Sequence, residues 1–483
     1  SDNTAFGSYA LEDNTSGTRN TAVGLQALAA NTTANDNTAV GRQSLLANTT
    51  GNSNTALGKS AMTDSTTGDY NTAVGNNCLL ANTTGGENTA VGAFALDAQT
   101  TGSNSTAVGY LALSANTTSG NTAFGHRALT ANTTGAGNIG IGKDALYTVT
   151  TGNYNIAIGY DALQQNTNSN NTAIGHDAMK LNTSGSRNTA VGGNSLDANT
   201  TGAYNVAVGY NAMSANNGSN NTAVGQDAML LNTTGGNNVA LGINAMDANT
   251  TGSENTAIGA FALDNNTTGS NNTAVGCEAL EKCTSAGGSG TGEQCTAVGF
   301  RALEEMTTGF KNTAVGAYAG DDVTTGYQNT FVGHDAGGNS HDGHNNLCLG
   351  YQSNLPANST DDSIILGNSS IAHIRCQQSS IEGLSDERDK TDIVDLAEGL
   401  DLINTLKPRK FTWAMREESS NNGKTNIGFI AQELDTAFGD KNDYVKIVSK
   451  EDPEKLAVAP GQLIPILVNA VKELSAENTA LKA

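Results

Sequence analysis

A short motif recurs at a nearly constant interval along most of the chain, and its period limits the possible folds. The motif reads Asn-Thr-Ala-Val-Gly, and its glycine returns every 17 residues, sometimes every 16, and once after 23. The copies fill residues 1–350, and a degenerate copy ends at Gly367. A unit of this length is too short for a helix pair, and Gly, Asn and Thr are poor helix formers. The repeat therefore predicts a mainly β fold, a β-solenoid or β-roll shaft of about 21 rungs.

Side-chain alternation within the motif predicts what fills the interior of a rung. The residue before the glycine is apolar, as at Val23, and the residue two positions earlier is Thr or apolar, as at Ile156. Because alternate residues of a strand share a face, we expect these two positions to point inward. The intervening alanine is then expected to face a closely packed neighbour. Leu28 and its equivalents are predicted to join the same core.

The second half of the unit, Asn-Thr-Thr-Gly, is typical of a turn. We expect its glycine to supply a positive φ and its asparagine to bond local backbone. The resulting core is thin, so association of chains would add to the stability that stacking provides. The unit resembles the head repeats of trimeric adhesins, which share Asn-x-Ala-Val/Ile-Gly and form β-rolls in threes. That resemblance implies a homotrimer.

Charge divides the chain near residue 384. Residues 1–384 carry 11 Lys and Arg against 28 Asp and Glu, a net of −17, and residues 385–483 carry 13 against 18, a net of −5. We predict three parts: a repeat shaft over 1–350, a β-rich neck over 351–384 and an α+β domain over 385–483. An acidic surface argues against nucleic acid as a partner. No apolar run is long enough to predict membrane insertion.

Histidines near the end of the shaft are the candidate metal ligands. His334, His341 and His344 form a loose cluster with neighbouring aspartates, and three copies around an axis would suit a metal. The surrounding sequence is rich in Gly and Asn, which favours solvated histidines. We therefore predict neither a metal nor another cofactor.

Recurring carboxylates leave open an enzymatic site within the shaft. Asp97, Asp197 and Asp247 occupy a variable position of the unit, which favours solvating charge over catalysis. The cysteines lack the short paired spacing of a zinc site. Cys283 and Cys295 flank the single insertion, so a disulfide between them is an open alternative.

Four segments after residue 384 carry a resemblance to a known family. They read S-D-E-R-x-K-T-D-I, L-K-P-x-x-F-x-W, I-G-F-I-A-Q-E-L and L-I-P-I-L-V-x-A-V-K-E-L. They resemble the self-cleaving intramolecular chaperone of phage endosialidase tailspikes. The resemblance implies a trimer, assistance to folding of the preceding stalk, and cleavage by a Ser/Lys pair. By position the pair is Ser385 and Lys390, and the scissile bond is Leu384–Ser385. Asp389 stands where the family commonly has an apolar residue.

The spacing of this pair sets a geometric condition. Five residues along a regular helix turn through about 140°, and along a strand they reach the opposite face. Ser385 and Lys390 therefore converge only in an irregular turn, or else the lysine comes from a neighbouring chain. Without the resemblance, the sequence favours Ser385 as a helix N-cap over a nucleophile, with Asp386 and Glu387 favourable in the first turn.

The same segments predict the elements of the C-terminal domain. We expect a helical stretch from Ser385 to Leu406, a strand near Phe411, a strand running into a helix over 427–434, a short strand over 456–458 and a final helix from near Pro460. Apolar residues at 3–4 spacing predict a coiled-coil seam on that helix, namely Ile464, Leu467, Val471, Leu474, Asn478 and Leu481. Seam rules alone favour two strands, whereas the resemblance implies three.

The combined features predict a bacteriophage tail fibre or tailspike located in the virion. Its partners would be two further copies of the chain and a host surface receptor, either a glycan or an outer-membrane component. A bacterial trimeric surface adhesin is the main alternative. An ice-binding solenoid is a remote alternative, because the paired threonines of Asn-Thr-Thr would face opposite ways in a strand.

Overall fold

A parallel β-solenoid makes up most of the protein, as the repeat predicts. The structure, a computed structural model, describes residues 2–284, 292–371, 385, 387–414, 422–450 and 456–482. Twenty-two three-residue strands stack in one parallel sheet, each paired with the equivalent residues of the next rung. The strands are β1 Thr4–Phe6, β2 Thr21–Val23, β3 Thr38–Val40, β4 Thr55–Leu57, β5 Thr72–Val74, β6 Thr89–Val91, β7 Thr106–Val108, β8 Thr122–Phe124, β9 Ile139–Ile141, β10 Ile156–Ile158, β11 Thr172–Ile174, β12 Thr189–Val191, β13 Val206–Val208, β14 Thr222–Val224, β15 Val239–Leu241, β16 Thr256–Ile258, β17 Thr273–Val275, β18 Thr296–Val298, β19 Thr313–Val315, β20 Thr330–Val332, β21 Leu347–Leu349 and β22 Ile364–Leu366.

The strand side chains point the opposite way from the predicted one. The central alanine of each strand, such as Ala22, is fully buried, whereas the flanking Thr21 and Val23 are only partly covered. The prediction that the flanking residues fill the interior is therefore wrong. The reason is the narrowness of the rung: at Gly140, which takes the alanine position, an added Cβ would lie 3.2 Å from the Leu129 Cγ. Leucine from the opposite wall occupies the core, as predicted, and leaves room only for a small residue.

At one rung the large residue is on the strand and the small residues are on the opposite wall. Phe331 stands where other strands carry alanine, and it is fully buried. Gly320 and Gly337 take the leucine position on its own and the preceding rung, and a Cβ on either would lie within 2.7 Å of the Phe331 ring. A large residue on one wall is thus matched by glycine on the other, as close packing requires.

The glycine of the turn acts by its small size. No glycine of Asn-Thr-Thr-Gly, nor Gly68 of the equivalent Ser-Thr-Thr-Gly, adopts a positive φ in the described shaft, so that prediction is wrong. A Cβ on Gly68 would instead lie 2.2 Å from the carbonyl oxygen of Gly85 on the next rung. The left-handed conformation occurs at the motif glycine, which has φ of +142° at Gly159.

Two columns of asparagine run through the interior. The asparagine of the turn bonds local backbone as predicted: Asn48 Nδ2 donates to the Gly51 carbonyl at 3.0 Å. The motif asparagine is also fully buried, which the repeat pattern did not indicate. Asn71 Nδ2 donates to the Gly85 carbonyl at 2.9 Å, and its Oδ1 accepts the Asn88 amide at 3.0 Å. These side chains satisfy backbone groups that the short strands leave unpaired.

The C-terminal domain is a small α+β unit with its own core. Its helices are α1 Leu400–Thr405, α2 Ala431–Phe438, α3 Asn442–Val445 and α4 Leu463–Lys482, and its strands are β23 Arg409–Thr412, β24 Thr425–Gly428, β25 Val448–Ser449 and β26 Ala457–Val458. β23 and β24 form an antiparallel pair, as do β25 and β26. Leu434, Phe438, Ile447 and Ile466 lie in the core. The predicted strands and the final helix are present.

The predicted helix over 385–406 is mostly absent. Among the described residues of this range, helical structure is limited to a 3₁₀ turn over Glu387–Asp389 and the short helix α1. Asp392 has φ of +55°, a left-handed conformation that a continuous α-helix excludes. Helix α4 stabilises the start of α1, since the Glu473 carboxylate accepts the Leu400 amide at 2.6 Å.

No disulfide joins the described cysteines. Cys78 and Cys348 are buried small side chains, and Cys283 and Cys295 are buried without a disulfide between them. Cys376 lies outside the described residues. Burial raises the pKa of the Cys295 thiol to about 12, so its thiolate is scarce at neutral pH.

Candidate functional site

Ser385 and Lys390 meet in the structure. The Lys390 Nζ lies 2.6 Å from the Ser385 Oγ and 3.2 Å from the Ser385 carbonyl oxygen. Both residues belong to one chain, so the single chain can bring them together. A hydroxyl within hydrogen-bond reach of an amine is the arrangement of a nucleophile with its base.

An irregular turn produces this contact. The 3₁₀ turn over Glu387–Asp389 lies between the two residues, and the Lys390 amide donates to the Glu387 carbonyl at 3.1 Å. The 3₁₀ turn covers only three residues, so the five-residue spacing from Ser385 to Lys390 does not follow a regular helix. Of the two arrangements that the spacing allowed, the structure contains the one within a single chain.

The pair is open to solvent in the isolated chain. Ser385 and Lys390 are both exposed. An amine in water is protonated at neutral pH and acts as a base only when burial or a nearby cation favours its neutral form. The pair therefore has the right distance but lacks the environment for catalysis. Leu384, on the other side of the predicted scissile bond, lies outside the described residues.

An ion pair joins the first strand of the domain to helix α2. Arg409 Nε and a terminal nitrogen donate to the two oxygens of Glu433 at 2.9 and 2.5 Å. This bidentate contact lowers the pKa of Glu433 and raises that of Arg409. Both side chains are substantially exposed, so the pair orients β23 on α2 more than it stabilises the fold.

The shaft histidines are separated by the solenoid geometry. His334 lies 5.6 Å from the ring of Tyr351, and His344 stacks on Tyr327 at 4.7 Å between centroids. His344 also contacts Asp361 at 2.8 Å. The rings thus contact aromatic neighbours in different columns of the solenoid.

A group of three glutamates in the shaft is paired with an arginine. Glu278, Glu281 and Glu304 have carboxylate oxygens within 4.8 Å of one another. Arg301 lies 2.5 Å from Glu278 and 3.5 Å from Glu304. The arginine therefore offsets part of the negative charge of this group.

Carboxylates stack in a column over five successive rungs. The column consists of Asp247, Asp264, Glu281, Glu304 and Asp321, and backbone bonds connect each rung to the next at this position. These side chains are half-buried rather than freely solvated. Burial, assisted by its like-charged neighbours, raises the pKa of Asp264 to about 6. Burial and nearby carboxylates likewise raise the pKa of Asp321 to about 6.

The column predicts a shaft that is more stable in mild acid. Carboxyls with a raised folded pKa bind protons more readily in the folded state, so the free energy of unfolding rises as pH falls. The gain is complete below the ordinary value of 3.8 and is lost as pH rises through about 6. Urea unfolding at about pH 7 and about pH 5 should show slower unfolding at the lower pH.

A pair of variants identifies the source of this effect. Asp264→Asn with Asp321→Asn should flatten the pH dependence and raise stability at neutral pH, because the repulsion is removed. The exposed Asp342→Asn serves as the matched control and should leave the dependence unchanged. A wild-type shaft that loses stability between about pH 7 and about pH 5 would contradict the assignment.

A family model matches the part of the chain that begins at the Ser385–Lys390 turn. Residues 385–442 match the model of a peptidase family described as the chaperone of endosialidase. The match begins at Ser385 and extends through β23, β24 and α2. The comparison with curated proteins gives no match. Within the described part of the chain, no helix combines the length and apolar character needed to cross a membrane. A β-solenoid shaft thus precedes a segment that matches the chaperone of endosialidase, and this arrangement fits a tail fibre with an endosialidase-type chaperone domain.

Proposed function

We propose that the chain is a trimeric phage tail fibre or tailspike whose C-terminal domain directs assembly and then releases itself by cutting the Leu384–Ser385 bond. The observation that carries this proposal is the 2.6 Å contact between Lys390 Nζ and Ser385 Oγ at the first residues of the family match. The shaft would serve host attachment in the virion, with a surface glycan or an outer-membrane component as its receptor.

The cut proceeds through an ester, because Ser385 directly follows the scissile bond. Lys390 in its neutral form removes the Ser385 hydroxyl proton, and Oγ attacks the Leu384 carbonyl carbon. The C–N bond breaks as the proton passes to the Ser385 nitrogen, which leaves Leu384 esterified to Oγ. Water then hydrolyses the ester, giving a Leu384 carboxyl and a free Ser385 hydroxyl. The net change is the addition of one water to one peptide bond.

Assembly of several copies would bury the Ser385–Lys390 pair, which is exposed in one chain. Ser385 and Lys390 are exposed in one chain, whereas a lysine base needs cover from water. Packing of further copies around this turn would exclude water and favour the neutral amine. Cleavage would then report correct assembly, and the released shaft would be kinetically trapped because it has lost its folding aid.

Helix α4 supports association of copies in this domain. One edge of the helix leaves apolar side chains uncovered, with Ile464 at 62%, Val471 at 65% and Leu474 at 53% exposure. These residues have the 3–4 spacing of a seam, and a matching helix from another copy would cover them. Three copies follow from the family resemblance.

Expression of the full chain tests the proposal directly. We expect a fragment whose N-terminal residue is Ser385 to appear without added protease, together with a trimeric shaft by light scattering. A protein that stays uncut and monomeric at high concentration would refute the proposed function. A trimer that stays uncut would refute the cleavage and leave the assembly role standing.

A further inference from the structure

One long uncharged surface of the shaft is only partly covered by the described part of the chain. We define the strand outer face as the first and third residues of β1–β22, which point away from the core. The third residue is Val, Ile, Leu or Phe in all 22 strands, and the first is Thr, Val, Ile or Leu. No charged residue occurs at any of these positions, although residues 1–384 have a net charge of −17.

Neighbouring positions on the rung follow a different rule. The residue after the motif glycine carries charge in several rungs, as at Arg42, Lys59 and Lys143. The strand outer face is therefore uncharged although a neighbouring position on the same rung carries charge. Its side chains are partly exposed, with Val206 at 37%, Phe124 at 57% and Leu241 at 45%.

The area of this face is comparable with that of a protein interface. Twenty-two strands at about 4.8 Å spacing give a length of about 100 Å, and two residue steps give a width of about 7 Å, or about 700 Å². The first residue is Thr in 16 of the 22 strands, so the continuous apolar column is about half of this area, and exposed apolar patches of a few hundred Å² often mark interaction sites. A standard interface buries about 800 Å² on each partner, which is close to this area.

We infer that the strand outer face is the surface by which copies of this chain pack against one another, in parallel and in register. A partner that covers every rung must repeat with the same rise over the whole length, and another copy of the shaft does so. The uncovered edge of α4 in the same chain favours parallel alignment of the copies, since both surfaces are then covered together. The inference rests on the proposed trimer and names the shaft surface that forms it.

Cysteine cross-linking within one rung tests the surface. Val208→Cys lies on the strand outer face, and Thr201→Cys lies on an exposed turn of the same rung. Under mild oxidation we expect Val208→Cys to give covalent dimers, because two of three adjacent thiols can pair. We expect Thr201→Cys to give no more covalent dimer than the wild type, and the wild type measures the background from the native cysteines. Burial raises the pKa of Cys78, Cys295 and Cys348 to about 12, which keeps these thiols unreactive.

A charge series gives a second measurement. Val191→Asp, Val208→Asp and Val224→Asp combined place charge on three successive strands of this face. We expect the trimer to weaken or unfold at least tenfold faster. The matched control combines Ser184→Asp, Thr201→Asp and Thr234→Asp at exposed turn positions, and it should behave as wild type.

The outcomes separate this inference from the proposed function. A wild-type chain that is monomeric would refute both, and if that monomer shaped ice crystals, the face would be an ice-binding surface. A trimer in which only Thr201→Cys cross-links, or in which the Val-to-Asp series has no effect, would overturn the surface and leave the trimer intact.

Discussion

Ser385→Ala is expected to leave the full chain uncut while the trimer still assembles. The substitution removes the only atom that can attack the Leu384 carbonyl in the proposed reaction, and it removes one hydroxyl from an exposed turn. Lys390→Ala should have the same effect because the base is lost, and Lys390→Arg should not restore cutting because arginine stays protonated. Gel analysis and intact mass over several days measure the loss, which we expect to exceed a thousandfold.

Three controls sharpen this prediction. Lys410→Ala removes an exposed lysine of the same domain and should cut normally. Ser385→Cys should retain some cutting through a thioester, because a thiol can replace the hydroxyl as nucleophile. Hydroxylamine should accelerate fragment release in wild type by attacking the ester. Cutting at the same bond in Ser385→Ala would disprove the nucleophile.

Gly159→Ala is expected to disrupt the shaft. Gly159 has φ of +142°, and an added Cβ would lie 2.2 Å from the carbonyl oxygen of Gly175 on the next rung. The strained backbone and the clash together should cost about 3–5 kcal/mol in each copy. We expect little soluble trimer, and in any soluble fraction rapid amide exchange in β10 and β11.

The matched substitution is Gly120→Ala. Gly120 also has a positive φ, at +75°, but nothing lies within 4 Å of its added Cβ. Its backbone lies in the ordinary left-handed region that Ser53 and Tyr70 adopt at the equivalent position, so the substitution adds a milder strain without a clash and should cost about 1–2 kcal/mol. Similar behaviour of the two variants would show that the close approach of successive rungs does not limit the fold.

The period, the strands and the leucine core follow directly from the sequence, because a repeat of this length leaves few alternatives. The direction of the strand side chains could not be predicted, because in a three-residue strand alternation allows either the central residue or the two flanking residues to face the core. Phe331 held the missing signal. It replaces the alanine of β20, and Gly320 and Gly337 replace the leucines that would contact it. This exchange of sizes indicates that the alanine and leucine positions both point into the core.

The sequence identified Ser385 and Lys390 as the candidate pair, whose role stays a prediction, but it did not determine their conformation. Their spacing allowed an irregular turn within one chain or a lysine from a neighbouring chain, and the single chain contains such a turn. The segment from Ser385 to Leu406 was predicted to be helical, and the left-handed Asp392 interrupts it. Single-residue interruptions of this kind depend on tertiary contacts, such as that between Glu473 and Leu400, which local sequence does not encode.

The stacked strands pair identical residues on successive rungs, Thr with Thr and Ala with Ala. A growing shaft therefore has near-perfect translational symmetry: three chains displaced by one repeat would make nearly the same contacts as three aligned chains. Contact energy alone distinguishes these states poorly, so the ground state is almost degenerate. The symmetry is interrupted at the 16-residue spacings, such as that from Gly109 to Gly125, at the 23-residue spacing between Gly276 and Gly299, and where the repeats stop after Gly367. A domain that aligns the ends before the rungs zip together would remove the degeneracy, and it has no further use once the shaft has formed.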